Sequence, residues 1–142
     1  MKKLILLFSV ILIYSCSTSD EKQDRKEIMA LLKHQASDWS RHDLDCFMLG
    51  YWKSDSLKFY GKNGITYGWK NVLDKYKKSY PYEEDTGKLK FKINAINKIE
   101  NNSYYVMGEY HLTREIGNTD GIFMIILKRV KDDWKIIADT SW

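Results

Sequence analysis

The sequence predicts an α+β domain in which N-terminal helices pack on a curved, mostly antiparallel sheet. Apolar residues recur at helical spacing in the first half of the chain, and the second half carries strand-like runs joined by short polar connections. A length of 142 residues suits one domain, and a hydrophobic fraction of 44% is too high for a disordered chain. Two cysteines are too few for a disulfide scaffold.

The first 15 residues are typical of a secretory signal. Lys2 and Lys3 precede about ten apolar residues, a run that is too short to cross a bilayer as a helix. The run 13–16, Ile-Tyr-Ser-Cys, resembles a bacterial lipobox, and the resemblance implies cleavage before Cys16 and lipidation of its thiol. An ordinary cleaved signal with an incidental cysteine is the alternative.

This interpretation divides the chain into a signal peptide at 1–15, the lipidated Cys16 with a polar tether at 16–23, and a folded domain at 24–142. Several acyl chains would hold the protein stably at a membrane of the bacterial cell envelope. Ser17 after the cysteine resembles an outer-membrane sorting pattern, whereas the periplasmic or surface face stays open. Loss of the signal halves the net charge of +4, so no nucleic-acid partner is expected.

Three helices are predicted ahead of the main sheet. The first spans 22–41, Asp43 is the N-cap of a short second helix, and the third begins after Gly68 and ends at Pro81. Each helix has an apolar stripe that needs a partner surface. The three stripes contain Ile28, Leu31, Leu32, Gln35, Ala36 and Trp39; Leu44, Phe47, Met48 and Tyr51; and Trp69, Val72, Leu73, Tyr76 and Tyr80.

The strands follow an alternating pattern. A small hairpin is predicted from 57–60 through the turn 61–64 to 65–67. Longer strands are expected near 88–99, 104–115, 121–130 and 134–141, with polar connections short enough for antiparallel hairpins. A long twisted sheet of this kind curls, so it is expected to wrap around the helices.

The two faces of the central strands differ in apolar content. On 104–113, the more apolar set is predicted to face the helices, and it contains Tyr104, Val106, Gly108, Tyr110 and Leu112. On 121–130 both sets are apolar: Ile122, Met124 and Ile126 alternate with Phe123, Ile125 and Leu127. A strand that is apolar on both faces indicates a covered outer face. The simplest cover is a second copy of the sheet, so a homodimer through the sheet is expected.

The order of these elements resembles the cone-shaped fold of the nuclear transport factor 2-like (NTF2-like) superfamily. The closing run 134–141, Trp-Lys-Ile-Ile-Ala-Asp-Thr-Ser, is similar to the terminal strand of the SnoaL-like and DUF4440 families. Trp39 followed by Asp43, the Tyr-Gly-Trp run 67–69 and Gly121 also match, and the resemblance covers about residues 24–142. Many relatives have a histidine where this chain has Thr140, which removes an acid–base or metal-binding group.

The resemblance implies a pocket between the helices and the concave face of the sheet. Its lining would come from inward helix positions and alternate strand positions. The predicted ligand-binding residues are Trp39, Phe47, Tyr51, Phe59, Trp69, Tyr76, Tyr110, Phe123 and Ser141. Aromatic side chains either fill a core or bind a flat, apolar ligand, and both interpretations stay open.

Asp139 is the one candidate catalytic group. A carboxylate walled by Trp and Tyr has a raised pKa and can abstract a proton, whereas a structural hydrogen bond at a strand end is the alternative. A His111–Asp139 pair would need neighbouring strands and a shared face. The histidines are far apart in the sequence, so no metal and no cofactor are expected, and Cys46 is expected to be a buried, inert thiol.

Two functions lead, and a purely structural or protein-partner role is the third. The leading one is non-catalytic: binding of a small, partly apolar ligand or of an envelope partner. The rival is an acid–base enzyme of the isomerase or dehydratase type that uses Asp139. An open cavity with a carboxylate beside a tyrosine would favour the enzyme, an open cavity without an acid would favour the binder, and a filled interior would favour a protein partner.

Overall fold

The chain folds as helices packed on the concave side of one six-stranded sheet. A computed structural model describes residues 16–142, and the signal peptide predicted at 1–15 lies outside these residues. The elements in chain order are α1 (Cys16–Trp39), α2 (Leu44–Met48), β1 (Lys58–Gly61), β2 (Gly64–Tyr67), α3 (Trp69–Ser79), α4 (Glu83–Thr86), β3 (Lys88–Glu100), β4 (Ser103–Thr113), β5 (Thr119–Val130) and β6 (Asp133–Ser141). None of these helices is long and apolar enough to cross a membrane.

Two helical features differ from the sequence prediction. Helix α1 begins at Cys16, before the predicted start at residue 22, so the polar segment 16–23 is helical. That segment has no apolar stripe, and hydrophobic periodicity therefore could not detect it. The short α4 was not predicted, because four polar residues carry no periodicity; Asp85 stabilises its first turn by accepting a hydrogen bond from the backbone N–H of Tyr82.

The small hairpin belongs to the main sheet. The strand order is β2-β1-β6-β5-β4-β3, and every neighbouring pair is antiparallel except β1 and β6, which run parallel. The predicted α+β class with a mostly antiparallel sheet is therefore confirmed. Bulges interrupt the pairing of β3 with β4 and of β5 with β6, and such bulges bend a sheet. In the β1–β6 register, Phe59 lies opposite Asp139.

Burial shows which strand faces point inward. On β4, the predicted set faces the helices, with Tyr104, Val106 and Leu112 buried. On β5, Phe123, Ile125 and Leu127 are buried. The opposite face is exposed in the single chain: Met107 is 46% exposed, Ile122 48% and Met124 38%.

A cluster of charged residues, Arg129 with Asp24 and Glu27, attaches the first half of α1 to the sheet; it is called the clasp below. Arg129 of β5 contacts Asp24 Oδ1 at 2.7 Å and Glu27 Oε2 at 2.8 Å, and its guanidinium lies 4.6 Å from the Trp134 ring centroid. Tyr104 donates a hydrogen bond to the other oxygen of Asp24 at 3.2 Å. Hydrogen bonds from Gln23 and Arg129 lower the pKa of Glu27. The clasp therefore holds the helix whose later turns line the interior.

Cys46 is less buried than predicted. It lies in the first turns of α2, where Asp43 accepts a hydrogen bond from its backbone N–H at 3.0 Å. The thiol is only half-buried, because the short helix lies at the edge of the domain. Interaction with the Asp43 carboxylate raises the pKa of Cys46, which disfavours the nucleophilic thiolate. The predicted burial is therefore wrong, and the predicted inertness stays a prediction that the raised pKa favours.

Candidate functional site

An open cavity of about 220 Å³ lies between the helices and the concave face of the sheet. Aromatic and aliphatic side chains form most of its wall, and the hairpin β1–β2 and α3 form its mouth. The wall contains Leu32, Gln35, Trp39, Phe47, Tyr51, Phe59, Tyr76, Tyr80, Leu89, Phe91, Tyr110, Leu112, Phe123, Ile125, Ile136, Asp139 and Ser141, and the mouth contains Gly61, Lys62, Asn63, Lys75 and Ser79. The interior is therefore not filled by its own side chains.

The predicted pocket residues line this cavity, with one exception. Trp69 lies outside it, although it occupies the apolar stripe of α3. It is the first residue of the helix, where its indole Nε1 donates to the carbonyl oxygen of Met48 at 2.8 Å and Lys53 lies 5.2 Å from its ring centroid. Trp69 therefore attaches α3 to the end of α2, which is a packing role.

The aromatic wall is built around Trp39 and Tyr76. The Trp39 ring meets Phe47 at 5.0 Å and Tyr80 at 4.7 Å between centroids, in edge-to-face geometry. Tyr76 packs edge-on against Trp39, Phe47 and Phe59 at 5.4–5.6 Å. Such contacts restrict the rings, so the wall is shaped before a ligand arrives. Trp39 is held further by a hydrogen bond from Nε1 to the carbonyl oxygen of Thr86 at 2.9 Å.

Asp139 forms a small polar floor in this apolar cavity. The Tyr51 hydroxyl donates to Oδ2 at 2.6 Å, and the Ser141 hydroxyl donates to Oδ1 at 2.5 Å. Phe59 and Ile125 lie opposite Asp139 on the two neighbouring strands, and Asp139 is only 7% exposed. Each oxygen accepts one hydrogen bond from these side chains, and a carboxylate has about four acceptor positions, so lone pairs remain for a ligand.

The floor has a defined protonation pattern. Burial raises the pKa of Asp139, and the hydrogen bonds from Ser141 and Tyr51 offset part of that effect. Burial, together with the charge of Asp139, raises the pKa of Tyr51 and of Tyr76 well above the ordinary value, so both phenols stay protonated at neutral pH. The site thus combines a proton acceptor with neutral hydroxyl donors.

His111 takes no part in this site. It lies in the outward-facing set of β4, where its Nδ1 is 2.7 Å from Asp120 Oδ1 and its Nε2 is 3.8 Å from Glu109 Oε2. A pair with Asp139 is excluded because Asp139 faces the cavity on the other side of the sheet. Between residues 16 and 142, no group of three His, Cys, Asp or Glu side chains has an arrangement that could hold a metal ion.

Several cavity residues were not among the sequence candidates. Tyr80 lies in the predicted stripe of α3, and Phe91 alternates with Leu89 on β3, so both carried a detectable pattern. Lys62 and Lys75 carried none, because a lysine in a turn or on the flank of a helix looks like any solvated residue. Their place at the cavity mouth depends on the tertiary structure, which brings the hairpin β1–β2 close to α3.

Solved structures similar to this chain share its fold. A structure described as an NTF2-like protein of unknown function, from Shewanella oneidensis MR-1, is 36% identical with a TM-score of 0.80, and the match covers 83% of this chain and 98% of that one. No family model matches the sequence, and neither does any curated protein.

More distant structures agree in fold alone. An NTF2-like superfamily protein from Salmonella enterica serovar Typhimurium LT2 is 16% identical, with a TM-score of 0.67 and coverage of 89% of this chain and 92% of that one. A ketosteroid isomerase-like protein from Erwinia carotovora atroseptica SCRI1043 is 12% identical, with a TM-score of 0.64 and coverage of 82% and 92%.

Proposed function

Because this chain belongs to the NTF2-like superfamily, we propose that it binds a small, flat and largely apolar ligand in its cavity. Proteins with this fold include both ligand binders and enzymes, so the function has to be inferred from the residues of the site. Within the superfamily, the closing run 134–141 supports a place near the SnoaL-like and DUF4440 families.

The observation that carries this proposal is an open cavity whose wall is aromatic and whose floor is polar. Edge-to-face packing leaves ring surfaces available to a planar guest. At the floor, Asp139 and Tyr51 would bind one polar group of the guest, and such a polar group fixes the orientation of an otherwise apolar ligand.

The test uses 2-naphthol as the probe, because it is flat, apolar and carries one hydroxyl donor. Titration calorimetry should give saturable binding at one site per chain. Leu112→Phe adds bulk inside the cavity from β4, whereas Met107→Phe adds a similar ring to the outer face of the same strand. We expect the first change to weaken binding and the second to leave it unchanged. Non-saturable binding, or equal affinity in both folded variants, would refute the proposal.

Acid–base catalysis is the second candidate, since the cavity does hold a carboxylate beside a tyrosine. Asp139 would take a proton from an acidic C–H of the ligand, and the raised pKa suits a general base. A simple probe is 2-tetralone in D₂O, in which catalysed exchange of the α-protons for deuterium is followed by NMR. Catalysed exchange that disappears in Asp139→Asn would favour the enzyme; exchange at the buffer rate would favour the binder.

We also propose that a second copy of the chain covers the outer face of the sheet. On β5, one outward row runs from Asp120 through Ile122, Met124 and Ile126 to Lys128. A two-fold axis across the strand near Met124 would place Asp120 of one copy near Lys128 of the other. The row is thus self-complementary in charge as well as apolar at its centre.

Sedimentation velocity at tens of micromolar tests this assembly. We expect the wild type to be dimeric, and Asp120→Lys and Lys128→Asp each to dissociate it by placing like charges together. The double variant, which exchanges the two charges, should dimerise again. Lys33→Glu on the exposed side of α1 is the matched control. A monomeric wild type, or a double variant that stays dissociated, would exclude this interface.

We propose that a lipid on Cys16 anchors this domain in the cell envelope, as the lipobox-like run 13–16 predicts. Cys16 is the first residue of α1, and the clasp of Arg129 with Asp24 ties that helix to the sheet. We therefore propose that the lipid holds the domain close to its membrane, in the outer membrane of the envelope.

A further inference from the structure

The charges that line the cavity are unevenly distributed. Asp139 is the acid at the floor, and both of its oxygens already accept hydrogen bonds from neighbouring side chains. At the mouth, the charged lining residues are Lys62 and Lys75. A ligand that fills the cavity would thus lie between a buried carboxyl group and a basic rim.

Lys75 has an unusual environment for a lysine on α3. It is half-buried, its Nζ lies 4.8 Å from the Phe59 ring centroid, and it donates to Thr66 Oγ1 at 3.3 Å. Among residues 16–142, no carboxylate oxygen lies within 4.0 Å of this ammonium group. An ammonium group has three N–H donors, so two remain available at the cavity mouth.

Two other lysines of this helix show a contrast. Lys70 pairs with Asp74 at 2.6 Å, and Lys77 pairs with Asp45 at 2.8 Å, and neither lines the cavity. Lys75, which does line the cavity, has no such partner among the described carboxylates; Lys78 has none either, but it is exposed and lies outside the cavity. Removing a cation partly from water without a counter-charge is unfavourable, and a bound anion would relieve this cost.

We infer that the ligand is a small aromatic or aliphatic carboxylate whose anionic group pairs with Lys75 at the mouth. This inference rests on the proposed ligand-binding function and adds the charge and direction of the guest. Asp139 fixes the direction, because the hydroxyl groups of Tyr51 and Ser141 already donate to its oxygens and are not available to an anion at the floor. The carboxylate must therefore point outward and the ring system inward, between the rings of Phe47 and Tyr76, where a neutral hydroxyl group on it could still donate to Asp139.

A matched pair of probes tests the inference: 2-naphthoate and its neutral isostere 2-naphthamide. Titration calorimetry should show that the wild type binds 2-naphthoate about tenfold more tightly, which is the size expected of one charge-assisted hydrogen bond. Lys75→Met keeps the apolar stem over Phe59 but removes the charge, so the preference should vanish. Lys75→Arg should restore it, and Lys70→Met should leave it unchanged.

The outcomes separate this inference from the proposed function. Equal affinity of the wild type for the two probes would overturn the anionic ligand and leave ligand binding intact. Binding of neither probe would count against ligand binding itself, and the inference would fall with it. A preference that survives in folded Lys75→Met would assign the anion to another group. The wild-type comparison decides the charge of the guest even where the methionine variant does not fold.

Discussion

The hydroxyl of Tyr51 lies 2.6 Å from Asp139 Oδ2, although 88 residues separate the two along the chain. Both are held by β6: Asp139 is part of the strand, and Tyr51 forms a parallel bridge with Ile136 of the same strand. The cavity floor is therefore set by one strand rather than by a flexible loop. A geometry supported in this way suits a binding or catalytic group that must keep its position.

Asp139 should make stability depend on pH in a specific sense. Burial raises the pKa of its carboxyl in the folded state above the ordinary value of 3.8. The stability that this group contributes is thus fully present below pH 3.8 and is lost as the pH rises through the folded-state pKa. We expect the wild type to lose stability relative to Asp139→Asn across that range, as measured by urea unfolding at several pH values. A difference between the two proteins that does not change with pH would contradict this prediction.

Tyr51→Phe should destabilise the protein by about 2 kcal/mol, because it removes a hydrogen bond to a buried carboxyl group. The loss should grow at higher pH, where the deprotonated Asp139 most needs the donor. The urea unfolding midpoint reports the effect. Tyr60→Phe, at an exposed tyrosine of β1, should stay within about 0.5 kcal/mol of the wild type. An equal loss in the two variants would argue against a special role for the Tyr51–Asp139 contact.

Arg129→Met should loosen α1. The change leaves Asp24 and Glu27 next to each other, partly buried and without the cation that they share. It should therefore lower the free energy of unfolding by about 2 kcal/mol. Lys70→Met, which breaks an exposed pair, should cost less than about 0.5 kcal/mol. Amide hydrogen exchange should show the loss of protection concentrated in the first half of α1 rather than throughout the sheet.

The two cysteines should behave differently. In cells given a radiolabelled fatty acid, Cys16→Ser should abolish labelling and move the protein out of the membrane fraction, whereas Cys46→Ser should do neither. In the purified protein, Cys46 should react with a thiol reagent more slowly at pH 7 than a free cysteine does, because Asp43 raises the pKa of its thiol. Labelling that persists in Cys16→Ser would refute the lipid anchor.

The sequence was most informative where a residue pattern repeats. Alternation along β4 correctly predicted its inward set, because one face of a strand is fixed by parity once a single residue is buried. The stripe of α1 likewise contains Trp39, which was predicted to line the cavity and does so. These patterns depend only on neighbours in the chain, and so they could be read without knowing the tertiary structure.

Trp69 and Lys75 show where such patterns stop. Both lie on α3. The apolar stripe predicted Trp69 as a cavity residue, but Trp69 lies at the end of the helix that packs on α2, outside the cavity. Lys75 borders the cavity only because β1 pairs with β6 and brings the hairpin over α3. That pairing joins distant parts of the chain, and no local periodicity encodes it.

The parallel pairing of β1 with β6 has a consequence for how the protein folds. Strands β3 to β6 form successive hairpins, which close over short loops. The pairing of β1 with β6 instead joins Phe59 to Asp139, which are far apart along the chain. Closing so long a loop costs more entropy and is slow, so the hairpin β1–β2 should join the sheet after the four-stranded meander has formed. The same seam is the natural place for local unfolding.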